Sequence, residues 1–217
     1  MKCLVTAGPT REYLDPVRFL SNASSGRFGA EIARAAAARG HAVDLVHGPV
    51  DSAIVAGLPA AVTPHPVVST ADMSREANAR YPDVDVVFMV AAVTDYTPVT
   101  YATHKLKKTA ADTESFTFRK TEDILRGLGE RKRHQFLVGF NLETKAGTAE
   151  ARRKLEAKHL DLIVLNGPQN LGSECATITV LDANDVVLEL ADVTKAEAAT
   201  RLVELAEAGV EEGRATR

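Results

Sequence analysis

The sequence predicts an α/β fold: a Rossmann-like, doubly wound, mostly parallel sheet with a C-terminal β-hairpin extension and a flexible lysine-rich flap. Three observations predict it. Short apolar runs alternate with helical patterns from the first residues onward. The first such run passes into the first helix through a glycine-bearing connection, as dinucleotide-type sheets do. The stretch Asp83 to Val90 ends in a near-continuous apolar run, the pattern of a central parallel strand buried on both faces.

Cys3 to Val5 reads as the first strand, and Ala30 to Gly40 as a helix closed by its glycine. His41 to His47 is a second buried strand. Ala61 to Val68 is a short one whose prolines assign it to an edge. Ser69-Thr70 caps a helix running to Arg80. From Thr97 to Ala111 the chain is threonine-rich and basic, without a helical apolar period, and reads as a mobile flap, about 97–113 in all. Phe116 to Lys120 is a strand, and Thr121 to Leu125 opens a helix with acidic residues in its first turn. Gln135 to Phe140 is buried strand, Thr148 to His159 a basic amphipathic helix, and Leu162 to Asn166 a further central strand. Ala176 to Leu181 and Val186 to Leu190 flank Asn184-Asp185 as a hairpin. A terminal helix follows from Lys195 to Glu211, so hairpin and helix occupy about 175–212, and the last residues should fray.

Composition limits the function classes. The 217 residues are 45% hydrophobic and 25% charged, enough for a sizeable core in one large domain, read here as 1–217. Twenty-six basic against 29 acidic residues argue against a general nucleic-acid binder. Two cysteines exclude a disulfide framework and point to a reducing compartment, hence a cytoplasmic location. Met1-Lys2 leads straight into a strand, with no signal peptide, and no apolar run approaches the ~18 residues of a membrane span. The six histidines show no metal-ligand spacing with the cysteines, so no protein metal site is expected.

Function concentrates in the connection Thr6 to Gly29. Most strand-to-helix loops run roughly 2–6 residues; this one is far longer and carries Leu14, Val17, Phe19 and Leu20 as apolar anchors. It ends Asn22-Ala23-Ser24-Ser25-Gly26, small and polar at a helix N-terminus. Two readings fit that end: a plain N-cap by Ser24 or Ser25, and an anion site on the free backbone N–H groups. The first does not account for Arg11, Asp15, Arg18 and Asn22. Topology brings further polar groups to the same rim, just past strand ends: Asp95 after Ala91-Ala92, the segment from Phe140 to Glu143, and Asn166. Lys105, Lys107 and Lys108 on the flap, with Lys154 and Lys158 four apart on one helix face, supply cations for a nucleotide triphosphate. Judged singly, each lysine also fits a solvated surface charge.

These motifs carry a resemblance. TAGPTRE, LDPVR and SNASSGRFG, in this order and spacing, resemble the opening of phosphopantothenate–cysteine ligase, the second activity of the coenzyme A biosynthesis flavoprotein family. AAVTDY, the flap motif KLKK ten positions after Asp95, VGFNLET and KHLDLIVLN extend the resemblance over nearly the whole chain.

The resemblance implies a two-step ligation. A nucleoside triphosphate activates the carboxylate of 4′-phosphopantothenate as an acyl nucleotidylate, and the cysteine amine then forms the amide. It assigns Asn22 and Lys105 as catalytic. It assigns Ala91, Asp95, Lys105, Glu122, Asp123, Ile124, Leu125, Phe140, Lys154 and Lys158 to the nucleotide. Asn22, Ser24, Ser25, Gly26 and Ala92 go to the phosphate or substrate. It further implies CTP, with ATP as the alternative, Mg²⁺ held mainly by the nucleotide phosphates, and no FMN. A homodimer and a separate decarboxylase acting next in the pathway are implied as well. Asn141-Leu142 departs from the family's usual Ala-Ala pair beside Phe140.

Two rivals have sequence support. Tyr101 and Lys105 have the Y-x-x-x-K spacing of NAD(P)-dependent short-chain oxidoreductases, but that pair needs a helix, and no close-set G-x-G-x-x-G is present. A nucleic-acid module using Lys105 to Lys108 meets the acidic balance and the absence of Trp.

Overall fold

A computed structural model describes residues 1–108, 112–142 and 147–215. Thr109, Ala110 and Ala111 of the expected flap, Glu143 of the expected rim, and the two C-terminal residues expected to fray lie outside the described residues.

The chain begins with β1 (Lys2–Ala7), the hairpin strands β2 (Arg11–Tyr13) and β3 (Phe19–Ser21), and α1 (Arg27–Ala38). There follow β4 (Ala42–His47), a short α2 (Ser52–Val55), β5 (Val62–Pro66), α3 (Thr70–Arg80) and β6 (Val86–Met89). Then come β7 (Tyr96–Pro98), β8 (Phe118–Lys120), α4 (Ile124–Glu130), β9 (Phe136–Leu142), α5 (Thr148–Ala157) and β10 (Leu162–Asn166). β11 (Cys175–Leu181), β12 (Val186–Thr194) and α6 (Lys195–Ala215) complete it.

Eight strands form one sheet in the order β12-β11-β10-β9-β6-β1-β4-β5. β5, β4, β1, β6, β9 and β10 run parallel; β11 and β12 add antiparallel at the far edge. The expected doubly wound sheet with a hairpin extension is therefore present. β5 is at the other edge, where the missing N–H groups of Pro64 and Pro66 do least harm. β6 is central, and all four of its residues are buried. Each such side chain contributes about 1.5–3 kcal/mol by leaving water.

Strand pleating splits the core in two. Cys3, Val5, Phe88, Val138 and Val164 face α1 and α6 on one side; Leu4, Val87, Leu137 and Ile163 face α3, α4 and α5 on the other. Helix ends follow local chemistry. Ser69 and Asp72 form a reciprocal capping box at α3. At the end of α1, Gly40 takes φ 84° while its N–H and that of His41 bond Ala37 and Ala36 at 3.0 and 3.1 Å.

Three expectations need correction. The strand at Phe116 to Lys120 forms only over Phe118–Lys120 and lies outside the main sheet, paired with β7 in an exposed two-stranded ribbon. The helix expected from Thr121 begins at Ile124, because the Asp123 carboxylate accepts from Arg126 N and so stands before the first turn. The long first connection, read without strands, is folded by β2 and β3 into a hairpin. Among the described residues no helix is long and apolar enough to cross a membrane.

Candidate active site

In a doubly wound sheet the crevice lies at the carboxyl ends of the strands where the winding reverses, here between β1 and β6. A cleft lies there, with about 120 Å³ of water-accessible space, lined by Gly8, Ser24 to Gly29, Val90 to Ala92, Phe140, Asn166, Asn170 and Lys195, among others. The structure thus brings together Ser24, Ser25, Gly26, Ala91, Ala92 and Phe140 of the sequence-assigned residues.

Neither serine caps α1. The residue before the helix is Gly26, at φ 79° and ψ −4°, and no side chain caps the helix. The first helical bond runs from Ala30 N to Gly26 O, which leaves the N–H groups of Arg27, Phe28 and Gly29 with no partner within the helix. A longer contact of 3.4 Å runs from Arg27 N to Ser25 Oγ. These donors and the positive helix end open on the cleft, the setting an anion needs.

Three glycines make this approach possible. A Cβ on Gly26 would come 2.6 Å from Val50 Cγ1 and 3.1 Å from Gly8, and one on Gly29 would meet Ala7 Cβ at 2.6 Å. Gly8 turns the chain at φ 74°. One glycine for the turn, one for close backbone approach and one for helix-on-strand packing are the roles of a phosphate-binding fingerprint. Here the β2–β3 hairpin is inserted between the first and second, which is why no close-set motif shows in the sequence. Gly26→Ala is expected to cost about 1–3 kcal/mol in strain and to abolish anion binding; thermal unfolding with and without added pyrophosphate measures both.

Asn22 is not among the residues lining the cleft, but it is bonded to one of them, Ala92. Asn22 is exposed, and both protons of its Nδ2 are engaged, by the carbonyls of Ala92 and Val93 at 3.0 Å each. Its Oδ1 is left to accept from a ligand. Buried hydroxyls of Thr10, Thr70 and Thr94 pin the same junction, with 3.1 Å contacts from Thr10 to each of the others. The Glu12 carboxylate accepts from Thr70 N at 2.7 Å at the start of α3. Asp95 lies just beyond, exposed, its carbonyl bonded by Thr121 N.

The flap is tied to the hairpin. Asp15, fully shielded, accepts from Val17 N and Arg18 N at 2.8 Å and from Leu106 N at 3.0 Å, and pairs with Arg18. Ala102 N adds a 2.9 Å bond to Leu14 O. Shielding from water pushes the Asp15 carboxyl up, but the backbone donors at Val17, Leu106 and Arg18, with the guanidinium, outweigh it and hold it below the usual carboxylate range. A depressed folded pKa means the anchor is present above the ordinary value of about 3.9 and is lost as pH falls through the lower folded value. Asp15→Ala is expected to reduce turnover roughly tenfold by misplacing the flap, and to make the bond after Lys105 readily cleaved in limited proteolysis at neutral pH. The wild type should show the same cleavage only in acid.

The remaining assigned residues, Lys105, Glu122, Asp123, Ile124, Leu125, Lys154 and Lys158, do not line the cleft, and among them only Lys154 bonds the end of β9 within the described residues. Phe140 turns to the cleft and packs edge-on against Phe28 at 5.2 Å; Asn141, the next residue, turns the other way and accepts from Lys154 Nζ at 2.7 Å. Lys158 Nζ bonds Asp123 at 2.9 Å, and Glu122 accepts from Ser74 at 2.7 Å. Ile124 is 3% exposed in the core and Leu125 packs against it, so at Ile124 only the backbone is open to a ligand. Lys105, Lys107 and Lys108 are exposed. Tyr101 and Lys105 lie in non-helical chain, which removes the face-sharing that the oxidoreductase reading requires. Sequence reasoning missed Arg27 and Lys195: one stood inside a motif read for its serines, the other at the start of a helix read as amphipathic packing.

A profile of the DNA/pantothenate metabolism flavoprotein C-terminal domain matches residues 1–209. The chain belongs to this family. Among relatives of the flavoprotein C-terminal domain, the coenzyme A biosynthesis bifunctional protein CoaBC of Bacillus subtilis (strain 168) is 45% identical over 163 residues, 75% of this chain and 39% of that protein. A cysteine/cysteine sulfinic acid decarboxylase from an unknown prokaryotic organism is 38% identical over 207 residues, 93% of this chain and 56% of that protein. The chain therefore spans 39% and 56% of the lengths of these two relatives. The crystal structure of the C-terminal domain of a CoaBC protein superposes with a TM-score of 0.81 at 36% identity, covering 97% of this chain and 96% of that one.

Proposed function

We propose that residues 1–217 form a single ligase unit that joins 4′-phosphopantothenate to L-cysteine in coenzyme A biosynthesis, with CTP as the activating nucleotide. The observation that carries this reading is the Asn22 amide fixed to the Ala92 and Val93 carbonyls at the edge of the cleft, near an α1 N-terminus whose Phe28 and Gly29 N–H groups have no partner within the helix. That arrangement offers an anion seat and an oriented acceptor side by side, in a chain whose B. subtilis relative is named for coenzyme A biosynthesis.

The substrate carboxylate attacks the α-phosphorus, the bond to pyrophosphate breaks, and an acyl nucleotidylate forms. The cysteine amine then attacks the acyl carbon, loses a proton, and the nucleoside monophosphate leaves. No protein nucleophile is needed. In this reading the nucleotide's phosphates lie in the cleft beside Phe140, and its base and ribose lie toward Asp123, Lys154 and Lys158. Lys105 on the flap stabilises charge at the α-phosphate, and joint binding of the substrates removes the entropic penalty of their encounter. Mg²⁺, held mainly by the nucleotide phosphates, would neutralise their charge; among the described residues no group of three or more His, Cys, Asp or Glu could hold a metal. No flavin enters the ligation, and decarboxylation is a later, distinct step.

A second copy completes the unit. Val17, Phe19, Tyr96, Val99, Tyr101 and Phe118 expose apolar surface on the adjoining β2–β3 and β7–β8 ribbons, an area suited to a twofold interface. Sedimentation should give a dimer mass.

The deciding experiment mixes phosphopantothenate, cysteine and Mg²⁺ with CTP or ATP in turn and identifies products. Phosphopantothenoylcysteine with CMP and pyrophosphate is expected. Carbon dioxide from cysteine or its sulfinate, without ligation, would instead favour the activity for which the 38% identical relative is named.

A further inference from the structure

Lys195 begins α6 and is only 5% exposed. Its Nζ donates to two carbonyls, Asn170 O at 2.9 Å and Ser173 O at 2.6 Å. Both are neutral. Among the described residues it makes no ion pair, and the neighbouring Glu174 carboxylate is engaged by Arg27. Lysines are almost never buried unless paired, because a desolvated ammonium is costly without a counter-charge. An ammonium has three donors, and the third here has no partner among the described residues. Burial, and then the nearby Arg27 cation, lower the Lys195 pKa, against opposing pulls from Glu174 and Cys175. Lys195 lines the same cleft as Arg27, Asn170 and the first turn of α1, where Phe28 N–H and Gly29 N–H have no partner within the helix. The wall that carries its two acceptors is itself fixed, since Asn170 is buried and its side chain bonds Asn166 and both main-chain groups of Thr177.

We propose that Lys195 and Arg27 form a two-cation clamp for a phosphate group in this cleft, with Glu174 holding the Arg27 guanidinium aside until that phosphate arrives. Lys195 is the fixed half, braced by the loop between β10 and β11. Arg27 is the movable half: its pair with Glu174 joins two partly exposed side chains, 37% and 77% accessible, and such a pair is weak enough to exchange for a doubly charged anion. The clamp rests on the ligase reading only for the source of the phosphate, which is the nucleotide's terminal phosphates or the phosphomonoester of phosphopantothenate.

Titration calorimetry of the full chain with pyrophosphate and with phosphopantothenate tests it. Wild type should bind at least one. Arg27→Gln should weaken that binding about tenfold, and Glu174→Gln should tighten it several-fold by freeing Arg27 and removing a repelling charge. Lys195→Met should weaken it more than tenfold; because this change also loosens the Asn170–Ser173 wall, the two surface variants decide if it fails to fold. Competition by CTP assigns the phosphate to the nucleotide, and competition by phosphopantothenate alone assigns it to the other substrate. Unchanged affinity in Arg27→Gln and Glu174→Gln, or no binding of either anion by wild type, overturns the clamp even if ligation is confirmed. The opposite-signed pair of shifts in a protein that makes no amide would keep the clamp and reject the ligase.

Discussion

Asn22→Asp is expected to lower amide formation on the order of 10²-fold or more while acyl-nucleotidylate formation continues. The wild-type amide donates to the carbonyls of Ala92 and Val93, both at 3.0 Å. An aspartate there sets a carboxylate oxygen against two carbonyl oxygens, so two attractive contacts become repulsive. The side chain is exposed, so it swings away without disturbing the core, and the thermal midpoint should stay near wild type. What is lost is position: Oδ1 no longer faces the point where the attacking amine must sit, and misplacement of about 1 Å costs roughly 10²-fold. Quenched-flow analysis with labelled phosphopantothenate should show the nucleotidylate accumulating. Normal product yield would remove Asn22 from the mechanism.

Lys105→Gln acts one step earlier. It should reduce pyrophosphate release by about 10²–10³-fold, the scale seen when a single stabilising donor is removed from a transition state. Lys105 is exposed and makes no ion pair among the described residues, so its charge is available. Its delivery is not left to chance, because the next residue is anchored through Leu106 N to the shielded Asp15 carboxylate. Nucleotide binding should persist in the variant, since the groups at Phe140, Lys154 and Lys158 are untouched, and Lys105→Arg should recover part of the rate. Pyrophosphate release at the wild-type rate in Lys105→Gln would contradict the assigned role.

The strands were legible because burial writes itself into composition. The apolar run in Asp83 to Val90 marks a strand covered on both faces, and β6 is the centre of the sheet. The prolines after Ala61 mark an edge, and β5 is one. Ser69 and Gly40 mark helix ends through their own hydrogen bonds and dihedrals. The β2–β3 hairpin was not legible: three-residue strands are too short for an alternation to register, and only the pairing of Arg11 with Ser21 reveals them. The start of α4 was misjudged because acidic residues favour the cap and the first turn alike, and Asp123 takes the cap by accepting from Arg126 N.

Ser24 to Gly26 could be named from the chain alone as a small, polar helix start, whereas Asn22, Ala91, Ala92 and Phe140 were named through the resemblance of their motifs to the ligase family. By itself the sequence also determined the alternation of strands and helices and the reversal of winding, hence the rim on which a site forms. Only the tertiary structure decided that Gly8 stacks on Gly26 across an inserted hairpin, and that Lys195, 168 positions after Arg27 in the chain numbering, shares its cleft. The physical reason is range: local hydrogen bonding and periodic burial act over a few residues, whereas the charge balance of a cleft depends on which distant segments the packed sheet brings within a few ångströms.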